Sequence, residues 1–572
     1  MTNAIWRERQ LTDQQLRLQQ QLTEQLPVSP VLAKLYAQRN LATQQDIERF
    51  INPKESELHD PFLYKDMDKA VERLNKAIRN GEKILIYGDY DVDGTTSVAL
   101  VYRYLHHHYT NLGFYVPERD TEGYGVSIKG VDFAANNKFT LIIALDCGIK
   151  DTESINYGKE KGIDFIICDH HNPDEELPEA VAVLDAKRPD NTYPYTELSG
   201  CGVGYKFMQA YAITNHHDPQ LLEPLYDLLA LSIASDIVPL TGENRILLSL
   251  GLRRLNNNPS LGLAMLLHTC ELKQGEIDIN DIVFKIGPRI NASGRIDSAN
   301  EAIRLMITED KQEALDCCKA INEHNQQRRD LDRQTTEEAL KQLAEDPAAS
   351  SYFSTVVYDA NWPKGVVGIV ASRLIEKYYK PTIVLTESNG LISGSARSVA
   401  GFDLYSAIKA CAGDLEAFGG HTFAAGLSMK PEKLNDFKLH FEEYVATNIS
   451  NEQKVPTIEY DQEISFSQIT GIFNDVRSLQ PYGQDNPQPV FVTRGVRDSG
   501  GSRTVGQKGE HLRLEVTDGS NNVKMTGIAF NKGGFYRHLH EGGKVDICYT
   551  LEENVFRNNR TIQLHVKDIQ LL

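Results

Sequence analysis

At 572 residues, with 41% hydrophobic and 24% charged side chains, the chain is long enough for several domains and too apolar for wholesale disorder. Its 79 acidic and 60 basic residues leave a net charge of −19, which taken as a whole argues against a protein that coats anionic polymers. Eight scattered cysteines, with no C-x-x-C and no zinc spacing, read as reduced core residues. No apolar run reaches the roughly 18 residues of a membrane span, and the Gln-rich opening MTNAIWRERQLTDQQLRLQQQL has no secretory apolar region, so a soluble, cytoplasmic protein is expected.

Residues 1–60 read as an N-terminal helical segment ending near Ile51-Asn52-Pro53. Residues 61–308 alternate helical stretches with short apolar runs: KILIYG (83–88), LIIALD (141–146), DFIICD (164–169) and VAVLD (181–185). Continuous apolar strands separated by helices predict a parallel α/β sheet covered on both faces. LYDLLALSIAS (225–235) predicts an apolar helix ending at Asp236. Residues 309–346 are polar and contain no Gly or Pro, which predicts a long connector helix. Residues 347–450 form a second α/β unit around STVVYD and PTIVLT, and residues 451–572 read as short strands and turns, an all-β domain of OB-like barrel type.

The chemistry concentrates at strand ends. Asp89, Asp91 and Asp93 directly follow the first apolar strand, and three carboxylates so close repel one another unless a cation sits among them. The next two strands end in Asp146-Cys147-Gly148 and Asp169-His170-His171. In an open parallel sheet the strand C-termini share one edge, where ligands bind, so these groups converge, and Asp236 can join them. Oxygen ligands with one imidazole suit two Mn²⁺ or Mg²⁺ ions. Asp185 also ends a strand, but Asp-Ala-Lys-Arg-Pro reads as the start of a loop.

The ordered runs DYDVDG, LDCG, DHH and SDIVPL resemble the four motifs of the DHH phosphoesterase superfamily. ERDTEGYGVS, SGCGVGYKF, GPRINASGRI, GVVGIVASRL, GSARS, GGHTFAAG and PYGQDNPQPVF are similar to segments of its RecJ branch, the single-strand-specific 5′→3′ DNA exonucleases, from about residue 30 to 572. The resemblance implies an α/β fold: a parallel-sheet DHH catalytic domain, a connector helix, a DHH-associated domain and a C-terminal OB-fold β-barrel. It implies Asp91, Asp93, Asp146, His170 and Asp236 as metal ligands, with Asp146 bridging two ions and His171 facing the scissile phosphate. Pyrophosphatase-like members carry a His where Tyr87 stands here; Asp89 either supplies that ligand or orients the loop. Single-stranded DNA, a single-strand-binding protein and a RecQ-type helicase are the implied partners of a monomer.

Phosphates beyond the metals need cations or backbone donors. Arg397 sits in the Gly/Ser-rich GSARS, read as a turn, and Gly420 with His421 reads as an anion nest; the resemblance turns both toward the active site. Gly365-Val-Val-Gly368 opens a helix, while Pro363 after Trp362 departs from the family's usual His, so no side-chain contact is expected there. Arg119 and Tyr124 are candidates to clamp a nucleotide, and Arg289 and Arg295 to hold phosphate from a loop before a helix. Between 494 and 560, eleven basic residues face eight acidic ones, a local excess of three positive charges, interleaved with Phe530, Phe535, Tyr536 and Phe556, of which at most two are expected to touch bases. The expected activity is metal-dependent degradation of single-stranded DNA to mononucleotides, with the gap between the α/β units as channel. The alternative is a DHH phosphodiesterase acting on short oligonucleotides or cyclic dinucleotides, which has no use for residues 451–572. A non-catalytic scaffold fits poorly, because every expected carboxylate and both histidines are present.

Overall fold

The structure, a computed structural model, describes residues 4–119, 121–296, 298–520, 523–556 and 559–572. The Phe556 side chain and Arg557 lie outside the described residues. The chain divides into two compact units: Pro53–Leu331 with Pro481–Asn486, and Met1–Asn52 with Asp332–Gln480 and Pro487–Leu572. Among the described residues no helix is long and apolar enough to cross a membrane.

The first unit is built on five parallel strands, β1 (Ile84–Gly88), β2 (Leu112–Tyr115), β3 (Leu141–Leu145), β4 (Asp164–Cys168) and β5 (Ala182–Leu184), in the order β2-β1-β3-β4-β5. Every residue of β1 and β3 is buried. Successive side chains enter different cores. Ile84, Ile86, Ile143 and Ile166 join one cluster; Leu85, Tyr87, Ile142 and Phe165 join the other, under Val131 and Ala134. Burying such a side chain contributes roughly 1.5–3 kcal/mol, so two-sided coverage explains why the strands read as unbroken apolar runs. The chain leaves β1 for β2 on one side and returns to β3 on the other. The connections after β1 and β3 therefore diverge and open a crevice at the strand C-termini.

Four helices border it: α1 (Val92–His106), α2 (Gly200–Thr214), α3 (Tyr226–Ser235) and α4 (Gly287–Ile296). The last is GPRINASGRI, expected as a loop. Its Gly and Asn are weak helix formers, but tertiary contacts override propensity. Asn291 Oδ1 accepts a 3.1 Å hydrogen bond from the Val92 amide at the start of α1, and a Cβ on Gly294 would lie 2.7 Å from the Tyr90 carbonyl oxygen. The short Pro481–Asn486 segment belongs to this unit too, its Gln484 carbonyl accepting from the Leu240 amide at 2.8 Å.

The polar stretch expected as a connector is one helix, α5 (Lys311–Glu345), and the boundary between units falls within it. In the second unit a mixed sheet holds β6 (Thr355–Tyr358), β7 (Thr382–Ser388), β8 (Leu391–Arg397), β9 (Ala417–His421) and β10 (Ala424–Met429) in the order β9-β10-β8-β7-β6, with α6 (Val367–Tyr378) beside it. Gly394–Arg397 of GSARS is therefore strand, not turn. Its glycine serves packing: a Cβ on Gly394 would lie 2.5 Å from the Leu385 side chain.

The C-terminal strands are β11 (Phe491–Asp498), β12 (Arg503–Val505), β13 (His511–Thr517), β14 (Met525–Ala529), β15 (Val545–Phe556) and β16 (Asn559–Leu571). They pair as β11-β15-β16-β14-β13, and β11 pairs again with β13 through Arg497–Thr517 and Asp498–Val516, bringing five strands round into a barrel. The N-terminal segment is not wholly helical: Ile5–Glu8 is a strand, paired in parallel with Thr457–Tyr460. Four residues carry too little periodicity to announce a strand whose partner lies some 450 residues downstream.

Candidate metal centre

The loops after β1, β3 and β4 deliver the expected groups to the crevice. Asp91 is the N-cap of α1, its side chain accepting from the Gly94 amide at 3.1 Å. Asp93, in the first turn, reaches the N-terminus of α2. It accepts from the Gly200 and Cys201 amides at 2.7 and 2.9 Å and from the Ser232 hydroxyl at 2.7 Å. A helix N-terminus is a natural seat for a carboxylate. Asp146 ends β3 with a left-handed φ of 58°, and its amide donates to the Cys168 carbonyl at 2.9 Å. Asp and Asn tolerate that conformation better than other residues with side chains. Asp236 caps the C-terminus of α3.

These groups meet around one imidazole. His170 Nε2 lies 3.1 Å from Asp146 Oδ1, 3.6 Å from Asp236 Oδ2 and 3.8 Å from Asp93 Oδ2. Two triads have ligand atoms within 4.8 Å of one another, Asp146–His170–His171 and Asp93–His170–Asp236, and they share His170. Asp146 Oδ1, His170 Nε2 and Asp89 Oδ1 are buried and have no hydrogen-bond partner among the described residues. A buried carboxylate oxygen left unsatisfied is costly, and a neutral imidazole lone pair facing carboxylates is repelled unless something positive lies between.

Protonation equilibria report the same strain. Burial, then the charge of Asp93 and its neighbours, pushes the Asp146 carboxyl well above the usual range. Burial and Asp91 do the same for Asp89, and burial and Asp93 raise Asp91. Asp236 is pushed up to about 9 by burial, Asp93 and Asp91, with Lys187 opposing the rise. Burial lowers His170. The residues present therefore fit divalent cations, with oxygen and nitrogen donors of the kind Mn²⁺ and Mg²⁺ accept.

His171 is held differently. Asp169, although buried, is kept at about 2 by hydrogen bonds from His171 and the backbone. It accepts from the His170 amide at 2.7 Å, the His171 amide at 3.2 Å, His171 Nδ1 at 2.7 Å and the Ile149 amide at 3.0 Å. Against the lowering effect of burial, that bond raises the His171 imidazole. Tyr124 donates its hydroxyl to the Asp146 carbonyl at 2.8 Å, and its oxygen lies 3.2 Å from His171 Nδ1, so this tyrosine sits at the site. Tyr87, in the position noted above, is tied up elsewhere: its hydroxyl donates to the Gly125 carbonyl at 3.1 Å and accepts from the Ser127 amide at 3.1 Å, which anchors the loop carrying Tyr124.

Arg119 lies over the Tyr90 ring, 5.4 Å from its centroid, and its charge opposes the rise of Asp89. Arg295 also opposes the rise of the Tyr90 phenol, whereas Arg289 donates to the Lys285 carbonyl at 2.7 Å and to Asn322 at 3.3 Å. Asp185 is buried near the cluster, raised to about 7 by burial, with one oxygen on the Lys187 amide at 2.7 Å and the other unsatisfied. Lys187, Asn291 and the Gly200–Cys201 amides were not among the expected site residues. Only the glycine-rich SGCGVG ahead of an apolar helix signals any of them.

In the second unit, Arg397, Gly420 and His421 come together by strand pairing: Arg397 faces Ala424, which faces His421. Arg397 donates to Ser395 Oγ at 2.9 Å and to the Ala396 carbonyl at 2.8 Å, and a Cβ on Gly368 in the first turn of α6 would lie 3.1 Å from its Nη2. Gly419 and Gly420 lie in the edge strand β9 rather than a free nest. At Gly420, φ is 142° and a Cβ would lie 2.4 Å from the Ala424 carbonyl oxygen, so only glycine fits.

Family models match in this order: the DHH family, N-terminal domain, over residues 83–233, the DHHA1 domain over 349–447 and the RecJ OB domain over 460–568. The single-stranded-DNA-specific exonuclease RecJ of Bacillus subtilis is 35% identical over 551 residues, 96% of this chain and 69% of that protein. The protein of the same name from Escherichia coli is 31% identical over 568 residues, 96% of each. The crystal structure of RecJ from Thermus thermophilus in complex with Mn²⁺ superposes with a TM-score of 0.84 at 26% identity, covering 99% of this chain and 80% of that one; the corresponding Mg²⁺ complex gives 0.78 at 25%. With identity above 30% along nearly the whole length of both chains, and three domain models in sequence, the chain belongs to the RecJ family of the DHH phosphoesterases.

Proposed function

We propose that the protein is a single-stranded-DNA-specific exodeoxyribonuclease, degrading its substrate 5′→3′ to mononucleotides with two divalent cations, Mn²⁺ or Mg²⁺. The observation that carries this is the buried cluster around His170, whose unsatisfied carboxylate and imidazole atoms call for cations, in a chain of the RecJ family. When bound, such ions neutralise phosphate charge and make water nucleophilic at neutral pH. Asp89, Asp91, Asp93, Asp146, His170 and Asp236 would hold them. Asp93 is in turn fixed by α2, so that half of the cluster is preorganised.

His171 presents Nε2 to a phosphate oxygen at the scissile position, its Nδ1 proton held by Asp169 and its positive form favoured by that carboxylate. Arg397, His421 and the Gly420 backbone bind a phosphate of the strand, Arg397 through the fork of its guanidinium. Arg119 and Tyr124 orient the terminal nucleotide, and Arg289 and Arg295 hold backbone phosphates. A monomer located in the cytoplasm, serving recombination and repair with a single-strand-binding protein and a RecQ-type helicase, follows from family resemblance.

The test uses oligonucleotides labelled at the 5′ or the 3′ end, single-stranded or duplex, with Mn²⁺ or Mg²⁺. Early release of the 5′ label from single strands alone is expected; equal degradation of duplex, or 3′ label released first, contradicts it. Preference for dinucleotides over long strands favours a short-oligonucleotide phosphodiesterase instead, against which the barrel over 460–568 stands.

A further inference from the structure

Helix α3 ends at the metal cluster, and the residue after its cap is unusual. Asp236 is the C-cap, with φ −84°, and Ile237 follows in the left-handed region at φ 59°. Glycine or asparagine usually takes that position, because a Cβ crowds the left-handed backbone and a branched one crowds it most. Among the described residues eleven non-glycine side chains have a left-handed φ, and Ile237 alone of them is β-branched. The turn is fixed from both sides. Asp236 brings its carboxylate to 3.6 Å from His170 Nε2, while Val238 and Leu240 enter the core.

Burial does not account for the isoleucine either. Ile237 is 69% exposed, whereas Val238 beside it is 8% exposed. An exposed aliphatic side chain is ordinary by itself. One that also strains its backbone is not, because asparagine would make the same turn with less strain and lose no core contact. Neither the turn nor the core explains the residue, so a ligand is left. The side chain stands one residue from Asp236, where a phosphodiester held at the cluster has its nearest atoms. A branched aliphatic group has no flat face for a base and no donor for a phosphate; its match is saturated carbon. In a DNA strand the C2′ methylene of the departing nucleotide is such a carbon, next to the C3′–O3′ bond of the scissile linkage. RNA carries a hydroxyl there, which against an aliphatic surface gives up water and gains no partner.

We infer that Ile237 packs against C2′ of the 5′-terminal sugar and is a determinant of the choice of DNA over RNA. The inference deepens the exonuclease reading and rests on it for the direction of attack. A contact of this kind rejects an added hydroxyl only moderately, by up to about a hundredfold, because it excludes by lost hydration rather than by an unpaired polar group of the protein.

Full-length wild type, I237G, I237N and I237L are compared with Mn²⁺ on 5′-labelled dT30 and on the same strand with one ribothymidine at the first or the second position. Cleavage of the first bond is followed; Mn²⁺ affinity is measured by calorimetry and melting temperature in EDTA. Wild type is expected to cut about tenfold more slowly with the ribonucleotide first, and within about twofold of dT30 with it second. I237G and I237N should reduce the first-position discrimination to about twofold or less and raise KM for dT30 about three- to tenfold, while I237L keeps both near wild type. Mn²⁺ affinity should stay within about twofold throughout, and I237N should melt above wild type because asparagine relieves the strain. Equal first-position discrimination in I237G, I237N and wild type overturns the inference, and so does a wild type that does not discriminate there. Weakened Mn²⁺ binding in I237G and I237N also overturns it, placing the role at Asp236 instead of the sugar. A wild type that leaves dT30 intact removes the exonuclease reading itself, whereas one that cuts dT30 with the discrimination unmoved by the variants removes only the role of Ile237.

Discussion

Nδ1 of His171 donates a 2.7 Å hydrogen bond to Asp169 Oδ1, a buried carboxylate held at about 2 and therefore always an acceptor near neutral pH. This bond fixes the imidazole's orientation and tautomer and raises its proton affinity. Asp169→Asn keeps the shape and removes the charge. With His171 acting as a cation on phosphate, kcat should fall about 10–100-fold, the usual cost of removing an outer-shell partner. Metal stoichiometry and KM should change little, and the alkaline limb of the kcat profile should move to lower pH. An unchanged profile would separate Asp169 from catalysis.

Asp93 and Asp146 occupy the same cluster but differ in their hydrogen bonding. Asp93 satisfies two α2 amides and the Ser232 hydroxyl; Asp146 Oδ1 satisfies nothing. Asp93→Ala should therefore destabilise the protein with or without metal, at about 1–3 kcal/mol per orphaned donor. Asp146→Asn suits the left-handed backbone and relieves repulsion from Asp93, Asp91 and Asp236. Its metal-free melting temperature should equal or exceed that of wild type. Thermal denaturation in EDTA measures both.

A raised carboxyl pKa means that the folded state binds more protons than the unfolded state between the two values. Stability then falls as pH rises through that window. Asp151 and Asp185, raised by burial to about 6 and 7, and Asp236, raised to about 9, set the window from roughly 4 to 9. Chelated protein should lose melting temperature steadily from pH 5 to pH 9. Saturating Mn²⁺ should flatten the curve, most strongly at the alkaline end, because binding is linked to loss of the same protons. A flat curve in EDTA would contradict the burial of these groups.

Gly200 lies where the first turn of α2 touches the site. A Cβ there would lie 2.6 Å from Asp146 Cβ and 2.7 Å from its Oδ1. Gly200→Ala removes no charged group yet displaces Asp146, and should lower kcat at least tenfold with a smaller loss in strand binding. Activity at the wild-type level would show that the cluster tolerates an ångström-scale shift.

The strand-end carboxylates and the DHH run are legible in the amino-acid sequence because β1, β3 and β4 are unbroken apolar runs whose ends share one edge. The connector helix is legible because nothing in residues 309–346 can break it. Long-range contacts are not. The helix over Gly287–Ile296 depends on Asn291 bonding Val92 across almost 200 residues, and β8 hides in GSARS because its glycine makes room for Leu385. Asp93's anchoring to α2 and the closeness of Lys187 to Asp236 arise only when separate loops meet. The net charge of −19 misleads for a related reason: part of it is a cluster that cations neutralise, and the barrel that carries Arg503 and Arg513 has a local basic excess.

Metal-dependent hydrolysis at the His170 cluster is measured by following 5′-labelled single-stranded DNA with wild type and D146N, each with Mn²⁺ and with EDTA, with strand binding measured in parallel. Mononucleotide release is expected only from wild type with Mn²⁺, while D146N binds the strand within a fewfold of wild type. Release by wild type in EDTA, or by D146N with Mn²⁺ at the wild-type rate, would contradict it.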